Sequence, residues 1–294
     1  MSARFPGLAK GYESFYVRAV DPGTGHGLWL RHTVHKPPGA PAVGSVWITL
    51  FGDELVADKR SVPGPTTDAG AWLRVGDSHI GPDGIHGPGY DLTWTSTAEP
   101  LRHLPADWMY RAPLPRTKPE SLLPTLSMSG TVTVGDTTMT LDGWPGMLGH
   151  NWGDQHAERW IWLHGLAFDD APDAFVDLVL GRVKVGPVLT PWIVNGVAGG
   201  RRFSGRAGTV EETPTTLRLV LRCLELRVES DPARTALWRY ADPDGSEHHV
   251  ANCSVARMEA IVDEQRLTTE FGGTYEVGMR EITHGLPVLP FTDP

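Results

Sequence analysis

The residues best suited to chemistry cluster in one stretch, Gly149-His150-Asn151-Trp152-Gly153 followed by Trp160-Ile-Trp162-Leu-His164-Gly. An imidazole with a pKa near neutrality can orient or deprotonate water, or accept a proton lost from a cation. Indole faces stabilise positive charge, by about 1–2 kcal/mol each when desolvated. Downstream, Asp177 sits between Val176 and Leu178 in an otherwise apolar run, with Phe175 and Val179 on its own side. A carboxyl in such surroundings is expected to stay protonated, because burial disfavours its charged form. His150, Trp152 and Asp177 are therefore the candidate catalytic residues for proton-initiated addition of water to an alkene, or for its cyclisation. Trp160, Trp162, His164, Phe175 and Asn151 are candidate substrate-binding residues. An Asp paired with an arginine, such as Arg182, and a His and Asn holding a sharp bend by hydrogen bonds, are the competing structural readings.

A metal is the alternative use of these groups, since His150, Asp154, His156 and His164 lie close together in sequence. No His-Glu-x-x-His or comparable spacing supports it, and none is assigned. His248 and His249 are adjacent, so on a strand they point to opposite faces and do not chelate together. No Gly-x-Ser-x-Gly elbow occurs. Cys223 and Cys253 read as inert thiols buried in apolar strands, and two cysteines make no disulfide framework.

The elements that must position these groups are strands. Alternation by two recurs at 12–20, 27–35, 43–51 and 89–97, and again over much of 125–283. In 43–51, Val46, Ile48 and Leu50 share one face and Trp47 and Phe51 the other, as in a sheet covered on both sides or curled round a cavity. The 34 Gly and 25 Pro make about a fifth of the 294 residues, which leaves little room for long helices. The sole helical expectation is a short turn around 152–159. The Gly-rich stretch after Asp21 has no helix behind it and reads as a hairpin turn, as does Gly199-Gly200. Residues 99–124 hold six prolines and read as a long surface connection or a lid. Within 215–229 the charged positions change parity, which predicts a bulge near Cys223. The fold expectation is all-β: two barrels or barrel-like sandwiches, residues 1–155 and 156–294.

The formal charge of −9 disfavours a nucleic-acid or anionic-membrane partner. No apolar run reaches the ~18 residues of a membrane helix and the first residues lack a signal-peptide core, so a soluble, cytoplasmic protein is expected. Oligomeric state is open.

The Gly-His-Asn-Trp-Gly plus Trp-x-Trp pattern resembles the tandem lipocalin-like family of carotenoid hydratases (hydroxyneurosporene synthases) and AttH-like proteins and, more distantly, tocopherol cyclase. Tyr12-Glu-Ser-Phe-Tyr-Val-Arg18, Trp29-Leu-Arg-His-Thr33 and Ser45-Val-Trp-Ile-Thr-Leu-Phe51 carry the same likeness, and Gly272-Gly-Thr-Tyr-Glu276 carries it thinly. The resemblance implies two lipocalin-like (calycin-type) domains round an apolar site, without an organic cofactor. It also implies catalytic roles for the His and Trp matched by His150 and Trp152, and for a Tyr-x-Asp pair that aligns best with Phe175-Val-Asp177. Phe replaces the family tyrosine there and removes a phenol. The expected activity is a hydro-lyase or cyclase acting on an isoprenoid, polyene or polyketide-like molecule. A lipocalin-like carrier of an apolar metabolite is the alternative.

Overall fold

The computed structural model describes residues 3–292, and among them regular structure is almost wholly strand. Eleven strands between Gly11 and Gly153 form one curled antiparallel sheet, and ten between Arg159 and Met279 form a second. The chain thus consists of two tandem lipocalin-like domains. In the first, Gly11–Val20 lies between the Gly27–Lys36 and Thr137–Gly153 strands, and Thr117–Val134 pairs on the far side of the latter. In the second, Arg159–Gly165 lies between Val176–Arg182 and Gln265–Met279, which pairs with Glu247–Val262. Hairpins fall where Gly and Pro cluster. Asp21 and His26 close the first, and Ala198 and Arg201 flank the Gly199-Gly200 turn.

Period-two alternation decides which residues meet. Phe15, Val17 and Ala19 fill the first core together with Val46, Ile48 and Leu50. The opposite face of the same strands turns towards the second domain, where Trp29, Trp47 and Phe51 join a core that includes Leu163, Leu178 and Trp238. Trp47 meets Trp238 edge-on with ring centres 5.1 Å apart. A polar clamp crosses the same interface. Arg18 is fully buried and donates 3.0 Å hydrogen bonds to the Ser254 and Gly272 carbonyls of the second domain.

Two glycines make room for aromatic walls. A Cβ on Gly149 would lie 2.2 Å from the Tyr16 ring, and one on Gly278 would lie 2.2 Å from the Trp160 ring. Each aromatic is the direct cross-strand partner of its glycine, so the ring lies flat over bare backbone.

Several local expectations are corrected. Residues 154–158 form bends rather than a helical turn, because two strand ends must be joined across the interface there. The parity change in 215–229 is a hairpin turn, not a bulge: Thr216–Leu221 and Leu224–Glu229 pair directly, with Cys223 at φ 66°. That turn leaves Cys223 exposed, whereas Cys253 is buried. Residues 99–124 hold a two-residue strand, a 3-10 turn at Asp107–Tyr110 and the start of Thr117–Val134.

Candidate active site between the two sheets

His150 lies inside the first barrel. Its strand neighbour Asn151 points the other way, because successive side chains alternate. The His150 ring is fully buried, with Nε2 2.8 Å from Glu13 Oε1 and Nδ1 2.9 Å from Glu120 Oε1. Phe15 and Trp152 stack on its two sides at 4.3 and 4.7 Å. Glu13 also accepts from the backbone N–H groups of Arg4 and Phe5, which ties the N-terminal 3-10 turn down. Both imidazole nitrogens are therefore taken up by carboxyl groups, and neither has a lone pair left for water.

Asp177 lies on the other side of the first sheet, at the interface. Ser121 Oγ donates to its Oδ2 at 2.5 Å, His103 Nε2–H to its Oδ1 at 3.0 Å, and Trp162 Nε1–H to Oδ1 at 3.4 Å. Burial pushes this carboxyl up, but the facing His103, with His164 and Ser121, outweighs it and holds Asp177 below the usual range. The expectation of a neutral carboxylic acid is thus corrected: three donors converge on a carboxylate, and the partner is His103 rather than Arg182.

His164 is buried too. Arg18 donates to its Nδ1 at 3.2 Å, so Nε2 carries the hydrogen and donates to the Pro124 carbonyl at 2.9 Å. Burial, reinforced by Arg18, lowers its pKa to about 4 and keeps it neutral. Phe175 is half-buried in the connection directly before Val176–Arg182.

The expected convergence of His150 and Asp177 in one barrel interior is therefore not found. What opens instead is a cavity of about 290 Å³ between the two domains. Trp160, Trp162 and Asn151, all expected substrate-binding residues, line it, whereas His150, Trp152, His164, Phe175 and Asp177 do not. Tyr16, Trp29 and Tyr240 complete an aromatic wall, and Leu104, Met109 and Pro115 from the proline-rich connection form one side.

Polar groups punctuate this apolar surface. Glu276, 9% exposed, accepts from Trp160 Nε1–H at 3.0 Å on one oxygen and from Asn252 Nδ2–H at 3.1 Å on the other. Its carboxyl plane is set, and each oxygen keeps a lone pair. Asn151 Oδ1 is buried with no hydrogen-bond partner among the described residues. Tyr16 stands edge-on to Trp162 at 5.1 Å. Burial, with Asp177 and Glu276 nearby, lifts its phenol well above the ordinary value, so it remains a donor. Arg31 lies over the Tyr240 ring at 4.3 Å and donates from Nε to Ser14 Oγ at 2.6 Å.

His156 lies on the cavity wall, stacked against Tyr12 at 4.1 Å and Trp160 at 5.1 Å. Its Nδ1–H donates to Asp242 Oδ1 at 2.6 Å. Burial pushes Asp242 up, but this hydrogen bond and the facing imidazole bring its pKa down to about 2.

Glu276, Tyr16, Arg31 and Tyr240 were missed as site residues in the sequence. Glu276 carried the same signal that singled out Asp177, one acid in an otherwise apolar strand (Gly273-Thr-Tyr-Glu-Val-Gly-Met279). The others are aromatic or basic residues on strands whose second face has no local sign of what covers it.

No protein-family model matches the chain. An uncharacterized protein of Mycobacterium tuberculosis is 29% identical over 300 aligned positions, covering 94% of this chain and 89% of the relative. Among solved structures, kievitone hydratase from Nectria haematococca superposes with a TM-score of 0.55 at 10% identity, over 92% of this chain and 88% of its own. A putative AttH from Nitrosomonas europaea gives 0.56 at 15% identity, over 96% and 95%. CghA with Sch210972 gives 0.60 at 12% identity, over 92% and 89%. Among the described residues no helix is long and apolar enough to cross a membrane. The architecture of two lipocalin-like domains in tandem is the fold this chain has in common with these structures.

Proposed function

We propose that the cavity between the two domains is the active site of a hydro-lyase or cyclase that acts on an apolar, unsaturated small molecule without redox change. The observation that carries this reading is the Glu276 carboxyl, held by two N–H donors in a pocket walled by Tyr16, Trp29, Trp160, Trp162 and Tyr240. Hydration needs one group to take a proton from water and a proton returned to the other carbon of the double bond. Glu276 takes the proton from the attacking water and hands it on to the other carbon of the double bond, so that none is gained or lost overall, and the protonated Tyr16 phenol hydrogen-bonds to oxygen on the substrate. The indole faces shield and stabilise developing positive charge. Asn151 Oδ1, otherwise unpartnered, accepts from a substrate hydroxyl or from the attacking water.

In this reading the remaining residues of the sequence motif are positioning residues. His150 and Trp152 anchor the strand inside the first barrel so that Asn151 projects onto the cavity. Asp177 fixes the Trp162 indole and, through His103, the segment that carries Leu104. A cavity of about 290 Å³ is at the small end of ligand sites, about 300–1,000 Å³, which favours a compact ring system or short prenyl group over a full carotenoid chain. The solved neighbours lend support, one of them being a hydratase by name and another holding Sch210972.

The test is mass spectrometry of apolar material extracted from the purified protein, followed by incubation of wild type and Glu276→Gln with prenylated and polyene compounds, kievitone among them. A mass increment of one water, or an isomer of unchanged mass, should form with wild type alone. Turnover that survives in Glu276→Gln would remove the proposed base. Tight binding of an extracted compound without any conversion would make the protein a carrier.

A further inference from the structure

We infer that His156, Asp242 and His248 form a site for one divalent metal ion of the zinc class, beside the cavity between the domains. The inference goes beyond the hydration reading and does not depend on it. One ligand atom from each of the three residues lies within 4.8 Å of the others. Asp242 and His248 are completely buried, and His156 nearly so. The Asp242 carboxylate stands between the imidazoles, with Oδ1 2.6 Å from His156 Nδ1 and Oδ2 3.7 Å from His248 Nδ1.

The second, independent observation is His248 itself. Neither of its ring nitrogens has a hydrogen-bond partner among the described residues, although the side chain is 0% exposed. A buried imidazole is ordinarily paired, since leaving both nitrogens dry forfeits their hydration for nothing. A cation held jointly with Asp242 and His156 supplies that partner.

The chain brings the ligands together non-locally. Asp242 and His248 bracket the Asp242-Pro-Asp-Gly-Ser246 turn, closed by Asp242 N–H to the Ser246 carbonyl at 2.7 Å. His156 arrives from the connection between the two sheets, and its own backbone N–H donates to Asp242 Oδ1 at 2.8 Å. Two imidazoles and one carboxylate match the three protein ligands of catalytic zinc sites rather than the four of closed structural ones, and His156 also lines the neighbouring cavity. The ion would take the place of the hydrogen between His156 Nδ1 and Asp242 Oδ1, and the neutral imidazole would carry its one N–H on Nε2 instead. Arg280 approaches Asp242 Oδ2 at 3.9 Å but is itself paired with Glu158 at 3.0 Å. His249 belongs to the opposite face, where its Nδ1 meets His284 Nε2 at 2.8 Å.

The test titrates Zn²⁺ alone into EDTA-stripped full-length protein by calorimetry, and locates the ion in Zn²⁺-soaked wild-type crystals by anomalous scattering. One ion per chain is expected, with density among His156, Asp242 and His248. His248→Gln and Asp242→Asn should each weaken binding about ten-fold or more, and His249→Gln should leave it unchanged. No bound ion, equal affinity in His248→Gln, or density at His249 and His284 overturns the assignment. Should the variants fail to fold, the wild-type density decides alone. Apolar-ligand binding, read by tryptophan quenching in the stripped protein, reports on the cavity separately.

Discussion

His150 and Asp177 lie on opposite sides of one strand, Thr117–Val134. Glu120 reaches His150 inside the first barrel, and the next residue, Ser121, reaches Asp177 on the outside. Consecutive residues on a strand point to opposite faces, so the two groups cannot act on one molecule. One secures the barrel, and the other secures the interface.

Replacement of His150 is accordingly expected to damage stability before chemistry. His150→Ala leaves the Glu13 and Glu120 carboxyls buried and facing one another without the imidazole between them. Breaking a buried charged arrangement in this way costs about 3–5 kcal/mol. Urea denaturation should show the loss, while the fraction still folded binds cavity ligands as wild type does. A His150→Ala protein of wild-type stability but without turnover would return His150 to the chemistry.

Glu276→Gln keeps the size of the side chain and removes its basicity. Turnover should fall by about 10²–10⁴-fold, the usual worth of a general base. Ligand affinity, read from tryptophan fluorescence, should move only a few-fold. Equal losses in both would mean that Glu276 merely shapes the wall.

Gly278→Ala drives a methyl group into the Trp160 ring and displaces it. Overpacking of this kind costs about 1–3 kcal/mol. Because Trp160 also donates to Glu276, the variant should lose both affinity and turnover, whereas Gly205→Ala, which has open space at its Cβ, should keep both at the stability cost of its positive φ. A Gly278→Ala enzyme with wild-type kinetics would show that Trp160 does not position the base.

Stability should fall on acidification. His164 is held neutral, its pKa lowered to about 4, and His32 likewise to about 3, in both cases chiefly by burial. An unfolded chain takes up protons on these rings near pH 6.5, whereas the folded one does not until about pH 4 or below. The unfolded state therefore binds more protons throughout that interval, and stability rises with pH across it. Asp177 acts in the same sense at lower pH, since its depressed folded pKa makes protonation favour the unfolded chain. Urea midpoints should drop from pH 7 to pH 4.5, with a slope of up to about 1.4 kcal/mol per pH unit for each histidine. His164→Gln should flatten the slope. A pH-independent midpoint would mean that these rings are already charged in the fold.

Much of the architecture was legible along the chain, because side-chain alternation in a strand is set by local backbone sterics and needs no knowledge of partners. The strands follow from it, and the hairpins after Asp21 and at Gly199-Gly200 from the glycines between them. Which face is covered, and by what, is a matter of strand order and of the packing of one sheet on the other. The charge state of Asp177 depends on His103, 74 residues away, and the interface cavity joins Tyr16 to Glu276 across most of the chain. The His150-Asn151 motif, expected at a sharp bend, is part of the Thr137–Gly153 strand, and only the docking of the two sheets decided that Asn151, and not His150, looks onto the cavity.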